Sequence, residues 1–117
     1  MPSLILTVSG TYSGLPEGSG SISLPVVNLT SAVYERLPLT LSSGNNTVTV
    51  PTGASLVLLV PPTGNTTQVI LKGVNGDTGI SVSRATPFFF LLDTTSPPSS
   101  FVLNAAGSIS GYTVVFF

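Results

Sequence analysis

Apolar side chains along this chain recur at every second position or in short unbroken runs, and Gly, Pro or Asn closes almost every such stretch. A period of two belongs to a strand with one dry face, whereas a helix needs the i, i+3, i+4 spacing that is missing here. Leu4, Leu6 and Val8 alternate with Ile5 and Thr7; Ile22 and Leu24 alternate with Ser21 and Ser23; Val48 and Val50 alternate with Thr47 and Thr49. Val69 and Leu71 oppose Gln68, Ile70 and Lys72, and Ile80 and Val82 oppose Ser81 and Ser83 in the same way. The pattern predicts about nine or ten strands with a dry and a wet face each.

Three segments are apolar on both faces: Leu56 to Val60, Phe88 to Leu92 and Val114 to Phe117. Such strands lie in the middle of a sheet under a covering loop, or at a contact with a second subunit, and both readings stay open. Turn chemistry fills the gaps. Ser43 to Asn46, Pro61 to Asn65, Asn75 to Asp77 and Ala105 to Ser108 place Gly and Asn where positive φ is expected, as hairpins and Greek-key corners require. Ser31 to Leu37 is read as a strand or one short turn, limited by Pro38. The segments Gly44-Asn45-Asn46-Thr47 and Gly64-Asn65-Thr66-Thr67 echo one another as hairpin grammar, not as a repeat array.

At 117 residues the chain is expected to be one domain, residues 1–117, with a core that needs no disulfide. Gly10 to Gly20 is rich in Gly and Ser and reads as a long loop or an arm that crosses to a neighbour. Thr94 to Ser100, with Pro97-Pro98, reads as a second long loop. The N-terminal stretch lacks a basic segment and a long apolar run, so the chain is expected to fold in the cytoplasm where it is made. No apolar run approaches the ~20 residues of a membrane helix.

Charge changes the picture most. Charged side chains are 6% of the sequence, against roughly a quarter in ordinary soluble domains, and the formal net charge is -1. Only Arg36, Lys72 and Arg84 are basic, too few to neutralise a row of phosphates, so no nucleic-acid partner is expected. With hydroxyls replacing charges and a positive mean hydropathy, some apolar surface is expected to be shared with neighbours.

The chain has no His and no Cys, which removes Ser-His-Asp triads, Cys-His dyads and ordinary zinc sites. Four carboxylates remain, Glu17, Glu35, Asp77 and Asp93, scattered too widely to read as a glycosidase pair. Lys72 reads as an outward strand residue, not as an activated base. Asn75, Asp77 and Thr78 crowd oxygens into one turn, but a single carboxylate is thin coordination for calcium, and Asp77 is expected to accept backbone N–H groups instead. Asn28, Asn45 and Asn65 begin glycosylation acceptor patterns and are read as unmodified. No catalytic, cofactor or metal residue is assigned, and no enzyme activity is expected. A final Phe116-Phe117 resembles the last strand of outer-membrane barrels, but ten prolines and short strands argue against a barrel, and no membrane partner is expected.

Gly44 to Pro51, Ala54 to Pro62 and Val69 to Ile80, with the Lys72-Gly73-x-x-Gly76-Asp77-Thr78-Gly79 element as the sharpest part, resemble small β-rich virion proteins of tailed bacteriophages. The likeness runs over residues 38 to 117, including the aromatic final strand Tyr112 to Phe117. It implies a structural accessory protein that decorates heads or builds necks and fibres, with no catalytic residues. The expectation is therefore an all-β, jelly-roll-like antiparallel sandwich, a homotrimer attached to a major capsid or other virion protein. The alternative is a carbohydrate-binding sandwich at an adhesin or fibre tip, for which stacking aromatics beside Asn and Asp are wanted and tryptophan is absent.

Overall fold

The computed structural model describes residues 3–7, 9–16, 18–23, 27–30 and 33–117. Val8, Glu17, Leu24, Ser31 and Ala32, used in the sequence readings, lie outside the described residues. Among the described residues there is no helix, and twelve strands pair only antiparallel.

The first four strands are β1 (Ser3–Leu6), β2 (Ser9–Leu15), β3 (Gly18–Ser23) and β4 (Val27–Thr30). They form two two-stranded sheets, β1 with β4 and β2 with β3. The Gly10 to Gly20 stretch is thus the β2–β3 hairpin, with Gly14 and Gly18 at positive φ. The alternation of Ile22 with Ser21 and Ser23 predicts a dry Ile22, yet Ile22 is 56% exposed, because among the described residues no second layer packs on this two-stranded ribbon.

The remaining eight are β5 (Glu35–Leu41), β6 (Gly44–Thr49), β7 (Leu56–Val60), β8 (Val69–Lys72), β9 (Ile80–Val82), β10 (Phe88–Leu91), β11 (Ser100–Ala105) and β12 (Ile109–Phe116). They make two four-stranded sheets, ordered β10-β7-β12-β5 and β6-β11-β8-β9, that pack face to face as an antiparallel β-sandwich. Leu41, Val57, Leu59, Tyr112, Val114 and Phe116 of one sheet meet Val48, Val69, Phe101, Leu103 and Ala105 of the other. Phe101 joins the layers, edge-on to Phe90 at 5.9 Å and tilted against Phe116 at 6.4 Å.

Two local devices make this packing fit. Ile109 and Tyr112 are three positions apart, so simple alternation would send them to opposite faces. A bulge between Ser110 and Tyr112, with Gly111 at φ +77°, absorbs the extra residue and turns both inward opposite Leu41 and Leu39. Of the two readings of Ser31 to Leu37, a strand or one short turn, the strand holds from Glu35, and β5 continues through Pro38 to Leu41. Pro38 sits on an edge strand, where a missing N–H costs no interior ladder bond.

The turns also depart from expectation. Positive φ is confined to Gly among the described residues; Asn supplies side-chain amides instead. Asn46 donates to the carbonyls of Ser42, Gly44 and Leu103 and accepts from Ser42 N–H, fastening the β5–β6 hairpin to β11. Asn65, its counterpart in the echoing segment, donates to the carbonyls of Thr67 and Arg84. Gly107 of the β11–β12 turn has no positive φ.

Candidate interaction surfaces

The two outer faces of the sandwich differ in chemistry. Register places Leu91 beside Leu56, then Phe89, Leu58 and Val115 in one row, and Val60 beside Thr113 in the next, all on the outer face of β10, β7 and β12. The three doubly apolar segments therefore lie side by side in one sheet. Exposure grades across them: Val115 is 8% exposed and Leu56 1%, whereas Phe89 reaches 39% and Leu91 49% at the β10 edge.

The other outer face is polar. Thr47, Asn45, Asn104, Lys72 and Ser81 project from β6, β11, β8 and β9. Asn45 Oδ1 accepts from Asn104 Nδ2 at 2.7 Å and from Lys72 Nζ at 3.4 Å, and Lys72 Nζ also reaches Asn75 O. Lys72 is an outward strand residue, as its alternation predicts, and it serves as a donor in this amide cluster. Residues 73–79 fold toward this face and leave a depression of about 420 Å³ lined by Thr47, Gly73, Asn75, Ser100 and Val102.

Asp77 organises that loop. Its Oδ2 accepts from the N–H groups of Gly73 and Val74, both at 3.0 Å, and its own N–H donates to Val74 O. Gly79 ends the loop at φ +75°, and a Cβ there would meet Ile70 Cγ2 and Leu71 O at 2.6 Å. The Lys-Gly-x-x-Gly-Asp-Thr-Gly element is thus a turn whose residues are fixed by carboxylate capping and close backbone approach.

Two grooves open between the sheets at their edges. One, of about 300 Å³, lies between β5 and β6 and is lined by Glu35, Leu37, Leu39, Thr49 and Pro51. The other, of about 570 Å³, lies between β9 and β10, with Leu71, Ile80, Phe90 and Phe101 inside and Lys72 and Asp77 at its rim. Ile80 faces inward by register but is 70% exposed, since β9 is a three-residue edge strand and the groove leaves it uncovered.

The described carboxylates stay dispersed. Glu35 starts β5, Asp77 caps the β8–β9 loop, and Asp93 follows β10, where Oδ1 accepts from Thr95 N–H. No group of three or more acidic, His or Cys side chains comes together among the described residues. The amide cluster of Asn45, Asn104 and Asn75 was not legible in the sequence, because it joins strands 59 residues apart. Compared with known proteins, the chain matches no family model, no curated protein and no solved structure.

Proposed function

We propose that this chain is a structural, non-enzymatic part of a bacteriophage particle, a decoration, neck or fibre component, that assembles as a homotrimer through its apolar sheet face. The observation that carries this reading is the asymmetry of the sandwich: the outer side chains of β10 and β7 are Leu, Val and Phe, continued by Val115 and Thr113 of β12 and Arg36 of β5, whereas amides, hydroxyls and Lys72 predominate around Val102 and Ile70 on the other face. On the apolar face Leu56 and Val115 are covered within the chain, and Phe89 and Leu91 at the β10 edge are left for a neighbour to cover. Its low charge suits contacts shared among identical copies, and the phage-protein resemblance of residues 38 to 117 points to the same class.

The strand order supports a jelly roll. Taken in sequence, the eight sandwich strands fall as first-eighth-third-sixth in one sheet and second-seventh-fourth-fifth in the other, the double Greek key used by viral capsid and lectin domains. A lectin-like role is the second reading, favoured by the Asn45, Asn104 and Asn75 cluster beside the polar depression. Among the described aromatics, none is in that depression to stack on a sugar ring.

The test is protein mass spectrometry on gradient-purified particles from the producing cells. A constant ratio of this chain to the major shell protein is expected; absence from the particles overturns the virion reading. A glycan array on the same preparation, positive in the wild type and lost in Asn104→Ala, would establish the lectin reading instead.

A further inference from the structure

We propose that strands β1 to β4 are an exchanged arm, whose Ile5 and Ile22 pack on the β9–β10 edge of a second copy of this chain against Ile80, Phe89 and Leu91. The inference rests on the homo-oligomeric reading above and adds which surfaces meet.

Surface area sets the need for a partner. The chain exposes 6943 Å², against about 5,900 Å² for a folded monomer of its mass. The excess of about 1,000 Å² is the size of one partner's share of a standard interface, about 800 Å². Its radius of gyration is 16.0 Å, where a compact domain of this length has about 13 Å.

The excess has an identifiable source. Strands β1 to β4 pair only with one another, and among the described residues they make at most marginal contact with the sandwich strands. Two-stranded sheets bury too little to persist alone in water and need a layer against them. Ile5 is 67% exposed and Ile22 56%, so the arm carries apolar side chains that the described residues leave largely uncovered.

The matching surface lies on the sandwich. Its large exposed apolar strand residues lie along one edge on two sides of it: Ile80, at 70%, in the groove between the sheets, and Leu91 at 49% and Phe89 at 39% on the outer face of β10. Among the described residues β10 pairs only with β7 and β9 only with β8, which leaves each an unpaired edge, and neither strand carries a charge or a proline to discourage pairing. Residues 3 to 30 contain one charged side chain, Glu17, so the contact desolvates almost no charge. Donor and acceptor are different surfaces, which makes the contact heterologous and lets it close into a ring.

The chain has no cysteine, so single-cysteine variants of the full chain report position cleanly. Ile22→Cys and Leu91→Cys chains, one carrying a size tag, are co-expressed and treated with a short bismaleimide. A mixed crosslinked product is expected, and none when Thr49→Cys, on β6 away from the β9–β10 edge, replaces Leu91→Cys. In parallel, the double variants Ile5→Ser/Ile22→Ser and Phe89→Ser/Leu91→Ser are expected to lose the oligomer and sediment at the 11.9 kDa of one chain while keeping the wild-type circular dichroism. If the wild type is oligomeric but the Ile22–Leu91 product is absent, the arm exchange is overturned and the oligomer stands. If the wild type is itself a monomer, the oligomer reading falls and the arm exchange with it.

Discussion

Tyr112 carries a polar atom into the driest part of the sandwich. Its side chain is fully buried, and its hydroxyl has no hydrogen-bond partner among the described residues. A buried donor left unsatisfied costs about 1–3 kcal/mol, the hydration it gave up on folding. Tyr112→Phe removes the hydroxyl and keeps the ring in place opposite Leu39. The variant is expected to be more stable by about 1–2 kcal/mol, a rise of about 5 °C in Tm for a domain of this size. Alkaline pH gives an independent check. Burial pushes the phenol from its ordinary 10.0 up to about 12. The folded state then holds its proton where the unfolded chain releases it, so Tyr112's contribution is intact below pH 10 and is lost as pH rises through about 12. At 1.36 kcal/mol per unit, the loss across that window is on the order of 2–3 kcal/mol, and Tyr112→Phe abolishes it. Urea denaturation at pH 7 and across pH 9 to 12 reads both effects. A variant less stable than wild type by more than about 1 kcal/mol at pH 7 would refute the reasoning, since it would mean that the hydroxyl is satisfied in the folded state.

Gly79→Ala is expected to destabilise by about 2–3 kcal/mol in thermal melts, because positive φ and a backbone clash act together. Gly111→Ala, at similar φ but in open space, is expected to cost only about 1 kcal/mol; equal losses would show that the clash at Gly79 is relieved without strain. Asp77→Asn weakens the two acceptor bonds that close the β8–β9 loop, so a loss of about 1–2 kcal/mol in chemical denaturation is expected, and an unchanged midpoint would remove its capping role. Hydrogen exchange is expected to be slowest in β7, β8, β11 and β12, which have a partner on both sides, and faster in the edge strand β10; a β10 as slow as β12 in the isolated chain would mean that its free edge is already covered.

Much of the sandwich is written in local alternation. Thr47, Val48, Thr49 and Val50 read correctly as wet, dry, wet, dry, and the doubly apolar run Leu56 to Val60 correctly marks an interior strand. What alternation cannot carry is whether a second layer exists. Ile22 and Val48 sit in similar patterns, yet one is exposed and the other is core, since only β6 has a sheet packed over it. Strand β5 was legible only as one of two readings, and its run past Pro38 depends on its place at a sheet edge, a property of the assembled sheet. The inward turn of Tyr112 depends on a bulge at Gly111 that no period of two anticipates. The surfaces were half legible. The low charge announced exposed apolar surface, but that β7, β10 and β12 pool their outer side chains into one face, and that the amides collect on the other, follows from pairings across tens of residues.

If copies of this chain hold one another through apolar surface, as proposed, charge plays almost no part in the contact. Sedimentation velocity at micromolar concentration, repeated in dilute buffer and in molar sodium chloride, tests it most directly. Exposed charge pairs are largely screened beyond the ~10 Å Debye length of 0.1 M salt, whereas apolar contacts are not weakened by salt. A mass of three chains of 11.9 kDa, unchanged from low to high salt, is the predicted result. A single chain at low salt, or an oligomer that molar salt dissolves, would contradict the account.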